Sequence, residues 1–321
     1  MSDQKILFRE MMMMVTITDV TLREFGQNVK AHYLHIFTPD KRAAMAIELY
    51  RAGLKSIEVF SCVSPRVAPA MNKSDIGIIA GEIGKVKGID FITLVPNRTG
   101  YQSFLSLGLG PGGWNHCMGL FFSAVESHNM ANVGMTIEDS MKEFSEIFKD
   151  AGKRGVRSKG YVSAAFGYRE NPSSAEIRPT AARINHFINF FFDKGAEAVT
   201  LSDLQGLADA PKTKILLEEI LEVRQGRDID RIGYHPHHVD SDMAIANSMA
   251  ALELGINRFD ASLGGTGGCI TGAPGNQPTE KLIEAFCVRG IETGVDLEKI
   301  KALAAIADKS FYQKIQLCKL G

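Results

Sequence analysis

The sequence predicts a single α/β domain, a (β/α)8 TIM barrel with extra C-terminal helices. Three observations lead there. Eight short β-type runs alternate with eight longer helical stretches between residues 15 and 288. These eight units fill about 280 residues, close to the usual barrel size of about 250. The rival, an open doubly wound sheet, normally carries a Gly-rich dinucleotide turn after its first strand. Here the chain runs Thr21-Leu22-Arg23-Glu24-Phe25-Gly26 instead.

The predicted strands are 15–22, 56–60, 91–95, 118–124, 158–165, 198–202, 232–237 and 258–263. Each is short and rich in β-branched, aromatic or other apolar residues. The predicted helices are 40–52, 74–85, 99–107, 136–151, 180–194, 210–224, 241–254 and 279–288. Asp40, Ser74, Thr136 and Thr279 stand where N-caps belong, with Glu138 and Glu280 in first turns. Gly53, Gly108, Gly152, Gly195 and Gly255 follow the last turns, where a left-handed residue ends a helix. Two further helices, 297–308 and 311–317, form an extension. The expected organisation is a leader over 1–14, the catalytic barrel over 15–291 and the helical extension over 292–321.

Composition excludes several classes. Thirty-six basic residues against 37 acidic ones leave no field to attract nucleic acid. No apolar run approaches the ~20 residues of a membrane span. The apolar stretch Met11–Met14 is too short for a secretory signal. Cys62, Cys117, Cys269, Cys287 and Cys318 are odd in number and widely spaced, without a CxxC pair. That argues against a disulfide framework or zinc knuckle and for a reducing, cytoplasmic setting.

In a barrel, catalytic groups gather at the C-terminal strand ends. Ionisable residues recur there: Asp19, Arg23 and Glu24 after strand 1, Glu58 in strand 2, Asp203 after strand 6, His235 and His237 in strand 7. His235-Pro236-His237 is the most specific local pattern. Residues two apart on a strand face the same way, so two imidazoles can grip one ion. Pro236, lacking an N–H, suits a strand end; a polar loop with surface histidines is the plainer alternative. Glu24 or Asp19 would add a charged oxygen, and Asn276 an amide oxygen. Such a mixed donor set suits Mg, Mn, Co or Zn. Arg23 would steady negative charge on a substrate oxygen, or simply pair with a carboxylate. Residues 264–275 hold six glycines and Cys269. A thiol among glycines is placed to move a proton at a closing loop, or is merely a small residue there.

These motifs resemble the metallolyase barrel superfamily, which includes hydroxymethylglutaryl-CoA lyase, the isopropylmalate, citramalate and homocitrate synthases and the hydroxy-oxovalerate aldolases. The first-strand block 19–27, the second-strand block 57–71, Leu94–Asn97, 123–127, 201–206, the histidine pair and the cysteine loop with Gly275-Asn276 carry the likeness, in order from about Val15 to Val288. The lyase looks closest. The resemblance implies that Glu24, His235, His237 and Asn276 bind a divalent metal, Mg or Mn before Zn or Co. It implies that Arg23 steadies an enolate, that Cys269 moves a proton, and that Glu58 and Asp203 are active-site acids. The implied substrate is a 3-hydroxy-3-methylglutaryl-CoA-like thioester, with a related hydroxy or oxo acid in the alternatives. Those are an acetyl-CoA-dependent synthase and a pyruvate-releasing aldolase. Barrels of this kind commonly associate, so a homo-oligomer is expected. The chain departs from the lyase at Glu24, usually Asp; at His238, usually Asp; at Ile270-Thr271; and at Gly167-Tyr168-Arg169.

Overall fold

The computed structural model describes residues 14–238, 240–267 and 275–312, apart from the side chains of residues 310 and 312. Eight parallel strands close in sequence order, each paired with its neighbours and the last with the first. They are β1 (Thr16–Asp19), β2 (Ser56–Ser61), β3 (Asp90–Val95), β4 (Cys117–Ser123), β5 (Ser158–Ser163), β6 (Val199–Asp203), β7 (Ile232–Pro236) and β8 (Arg258–Ala261). Eleven helices accompany them among the described residues. These are α1 (Thr21–Asn28), α2 (Pro39–Arg51), α3 (Lys73–Ile83), α4 (Arg98–Ser106), α5 (Glu126–Val133), α6 (Ile137–Lys153), α7 (Ala181–Asp193), α8 (Ala210–Arg224), α9 (Ser241–Glu253), α10 (Thr279–Val288) and α11 (Leu297–Ala307). No helix is long and apolar enough to cross a membrane among the described residues.

The core lies between the strands' outer faces and the helices. Strand side chains alternate between barrel interior and helix layer, so Phe122 of β4 meets Phe187 and Phe191 of α7 at ring separations of 5.1 and 5.0 Å. Gly160 of β5 permits this approach. A Cβ there would stand 2.3 Å from Phe191 Cγ, so Gly160→Ala would push α7 off the sheet.

The eight predicted strands and the eight predicted barrel helices are all present, with shifted ends. The largest revision is β1, which stops at Asp19 rather than residue 22. Asp19 Oδ1 accepts the Thr21 N–H at 3.0 Å and turns the chain at once into α1. Tight local turn chemistry overrides a β-like run of Val, Thr and Leu. Helix α5 is a second unpredicted element. Of the expected N-caps, only Thr136 serves, its Oγ1 accepting the Asp139 N–H; Asn72 caps α3. Gly53, Gly108, Gly195 and Gly255 do turn left-handed after their helices, whereas Gly152 lies inside α6 and Gly155 takes that place. Helix α11 ends near the predicted 297–308 segment and continues as a π-type turn over Asp308–Tyr312; residues 313–317 of the last predicted helix fall outside the described residues. The segment before α11 returns to the barrel base of α2, where Asp296 N–H donates to the Ala52 carbonyl at 2.7 Å.

Candidate metal centre and active-site cleft

An open cleft of about 750 Å³ lies at the C-terminal mouth of the barrel. Helix α1 supplies one wall. Arg23, Glu24, Gln27 and Asn28 all line the cleft, because residues three and four apart share a helix face. Had the strand run on through them, Arg23 and Glu24 would point to opposite sides. On the helix they stand side by side as a buried ion pair. Asn28 Nδ2 donates to the Glu24 carbonyl at 2.8 Å and Thr279 Oγ1 to Asp19 Oδ2 at 3.0 Å. Asp19 is therefore consumed by the turn and by α10, and Glu24 is the first-strand acid left for the cleft. Burial pushes the Asp19 carboxyl up to about 6, against the pull of its hydrogen bonds.

The opposite wall is β7. His235 is in the strand and His237 lies one residue beyond its end at Pro236, paired by a bridge with Asn276. Their Nε2 atoms stand 3.0 Å apart. One ligand atom each from Glu24, His235 and His237 falls within 4.8 Å of the others, and all three residues are buried. Asn276 Nδ2 donates to the Thr266 carbonyl at 2.9 Å, which leaves its buried Oδ1 with no hydrogen-bond partner among the described residues. Gly267 explains how the glycine loop comes this close. It has φ +103°, and a Cβ there would lie 2.6 Å from Glu24 Cβ and 2.7 Å from Asn276 Nδ2. Two converging imidazole nitrogens, a carboxylate and an orphaned amide oxygen form a donor set that fits a divalent cation.

Arg23 is fixed in place by Glu58. Its Nε and Nη2 both reach Glu58 Oε2, at 2.8 and 2.7 Å, and Nη1 donates to Gln27 Oε1 at 3.1 Å. Burial opposes the guanidinium charge, but Glu24 and Glu58 outweigh it and hold the pKa above its ordinary value. Glu58 is fully buried and its Oε1 accepts no hydrogen bond among the described residues.

Asp203, an active-site acid by the resemblance, has a structural part in this fold. It is buried at the end of β6 between the cleft residues Ser202 and Leu204, but both carboxylate oxygens are already engaged. Oδ1 accepts the Leu207 N–H at 3.0 Å and Oδ2 the Ala208 N–H at 2.9 Å. Its carbonyl accepts the His237 N–H at 3.0 Å. Asp203 thus shapes the β6–α8 loop and seats His237. Burial pushes its carboxyl up to about 6, partly offset by those backbone bonds.

Cys269, with residues 268–274, lies outside the described residues. Of the other thiols, Cys62 and Cys117 are buried and pushed up to about 12, mainly by desolvation, which makes them inert at neutral pH. His238 turns away from the triad, as strand alternation predicts, toward Gly265 and Gly275.

Tyr161 and Asp260 were not singled out by sequence reasoning. Tyr161 lines the cleft from β5; burial and the charges of Glu58 and Asp260 push its phenol well above the ordinary value, so it stays a donor. Asp260 of β8 lies 3.1 Å from His235 Nδ1. For Tyr161 the signal was alternation, since it shares its strand face with Ser163.

A family model described as HMGL-like matches residues 14–306. The chain belongs to the HMGL-like family. It is 32% identical over 289 residues to the cytoplasmic 3-hydroxy-3-methylglutaryl-CoA lyase of Rattus norvegicus, covering 89% of this chain and 78% of that one. It is 32% identical over 295 residues to hydroxymethylglutaryl-CoA lyase YngG of Bacillus subtilis, covering 90% and 91%. The crystal structure of the Bacillus subtilis HMG-CoA lyase superposes with TM-score 0.78 at 28% identity, over 96% of this chain and 99% of that one. An HMG-CoA lyase of Acinetobacter baumannii, solved with coenzyme A and 3-methylmalate, superposes with TM-score 0.80 at 26% identity, over 93% and 91%. As a member of the HMGL-like family with these relatives, the protein is an enzyme, a carbon–carbon lyase.

Proposed function

We propose that this HMGL-like enzyme uses one divalent cation to cleave a 3-hydroxy-3-methylglutaryl-CoA-like thioester into acetyl-CoA and a keto acid. The observation carrying this is the convergence of Glu24, His235 and His237 in one cleft beside Arg23, with Asn276 bridged to His237. The relatives' names supply the substrate class. The carboxylate and amide oxygens favour Mg or Mn, and the imidazoles also accept Zn or Co. A cation held there would acidify the substrate hydroxyl and polarise a neighbouring oxygen.

The remaining work falls to the chain. Glu58 Oε1, buried and unbonded among the described residues, takes the hydroxyl proton. The O–H electron pair becomes the new keto C=O, and the pair of the breaking C–C bond moves to the thioester α-carbon. Arg23, already oriented by Glu58, stabilises the charge on the thioester oxygen as the enolate forms. The Cys269 thiol protonates the α-carbon. Leu94, Phe121 and Leu204 give the cleft an apolar side for the substrate's methyl group. We place the enzyme in a reducing cytoplasm, consistent with free Cys62, Cys117 and Cys287, and expect it to associate with copies of itself.

Purified protein with Mg or Mn should release acetyl-CoA from 3-hydroxy-3-methylglutaryl-CoA, and Cys269→Ala should slow release roughly 10²–10⁴-fold. Absence of cleavage across several 3-hydroxy-3-carboxymethyl thioesters would sink the substrate assignment. Thiol release from acetyl-CoA on adding 2-oxo acids would instead identify a condensing synthase. Pyruvate formation without CoA, followed with lactate dehydrogenase, would identify an aldolase.

A further inference from the structure

A metal site built on His235 depends on which ring nitrogen faces inward without a proton. A neutral imidazole carries one proton, and the nitrogen bearing it cannot ligate. Here Nδ1 lies 3.1 Å from Asp260 Oδ2, both residues being buried. Asp260 projects from β8, which pairs directly with β7. An ionised carboxylate only accepts, so this contact draws the ring proton to Nδ1. The Nε2 lone pair is then aimed at the centre shared with His237 Nε2, 3.0 Å away.

Asp260 is itself held. Gln277 Nε2 donates to the Asp260 carbonyl at 2.8 Å, and Ser248 Oγ donates to Gln277 Oε1 at 2.8 Å. Gln277 and Ser248 are fully buried. Gln277 directly follows Asn276, so the short segment that presents the Asn276 amide oxygen also pins the backbone beneath Asp260. Ligands from separate elements are tied into one frame from α9 through residue 277 and β8 to β7.

We propose that Asp260 is a positioning residue of the metal centre, holding His235 in the Nδ1–H tautomer with Nε2 toward the ion, while Gln277 keeps Asp260 in register with Asn276. This deepens the metal-site reading above and rests on it. Outer partners of ligating histidines act in this way, and their loss typically costs roughly 10–100-fold in metal affinity.

The test titrates Mn(II) into the full-length apo protein and follows free ion by electron paramagnetic resonance. Wild type should bind Mn(II). Asp260→Asn should bind roughly 10–100-fold more weakly, since an amide turning its NH2 toward Nδ1 shifts the ring proton to Nε2. Gln277→Ala should weaken binding in the same direction but by less. In wild-type apo protein at pH 8, nitrogen NMR of labelled histidine should find His235 protonated at Nδ1 and bare at Nε2. A merely structural Asp260 would not set that tautomer, and this measurement needs no variant to fold. If wild type binds no Mn(II), the metal-site reading fails. If wild type binds and Asp260→Asn binds within about threefold of it, or the His235 proton sits on Nε2, the positioning role is overturned.

Discussion

The two ends of this barrel are both rich in charge, and they use it differently. At the base, Arg157 before β5 pairs with Asp90 at 2.6 Å and with Glu197 at 2.8 Å, each group at least a third exposed. Arg231 nearby donates to the Ala196 and Glu197 carbonyls. Every one of these groups has a partner and keeps contact with water. At the mouth, Arg23, Glu24, Glu58, His235 and His237 are buried, and Glu58 Oε1 and Asn276 Oδ1 are left without partners among the described residues. Burying an unsatisfied polar atom costs about 1–3 kcal/mol. The base carries such atoms too, His116 Nε2 before β4 and Asn257 Oδ1 before β8, but those at the mouth adjoin Arg23 and His237, beside the carboxylate–imidazole cluster.

Buried histidines repeat the contrast. His116, at the start of β4, stacks on Phe60, packs near Phe91 and bonds only Thr93 Oγ1 through Nδ1. Burial drives it down to about 3. His235 is equally buried, yet the bond and charge of Asp260, aided by Glu24, outweigh desolvation and raise its pKa. A carboxylate neighbour, not burial, separates the functional ring from the packing one.

The largest expected effect breaks the mouth. His237→Ala should abolish Mn(II) binding in titration and remove acetyl-CoA release, with near-native circular dichroism; retained metal affinity would dissolve the contrast. Next, Glu58→Gln should lower kcat roughly 10²–10⁴-fold. Asp203→Asn should instead raise KM or loosen metal binding more than it lowers kcat, and the reverse ranking would make Asp203 the base. Third, His116 favours its neutral form in the fold. Its stability contribution is full above the unfolded pKa near 6.5 and is lost as pH falls toward 3. Denaturation of wild type should therefore weaken below pH 6.5 by up to about 1.4 kcal/mol per pH unit relative to His116→Gln. Equal slopes would remove His116 from the comparison. The smallest effect is Arg157→Ala. It should cost about 0.5–2 kcal/mol of stability, as partly exposed pairs do, with kcat/KM unchanged; a large loss of activity would mean that the base reaches the site.

Much of this was legible in the sequence. Alternating runs of about five and about thirteen residues predict strands and helices because their hydrophobic periods differ. The HxH spacing predicts converging imidazoles because strand side chains alternate. Harder to read was anything depending on a turn. The β-like run after Asp19 hid α1, and with it the placement of Arg23, Glu24, Gln27 and Asn28 on one face. The position of Asp203 was legible, while its bonds to Leu207 and Ala208 depend on a loop that curls back only in the fold.

The sequence by itself determined the architecture, the family resemblance and the identities of the converging groups, since periodicity and local spacing are written along the chain. The tertiary structure alone decided which acid joins the two histidines, which carboxylates hold turns, and that Asp260 stands behind His235. Those facts depend on distances between residues 25 to 260 positions apart, such as His235 to Asp260 and Asp19 to Thr279. Only closure of the barrel, joining β8 to β1, brings such partners within a hydrogen bond's length.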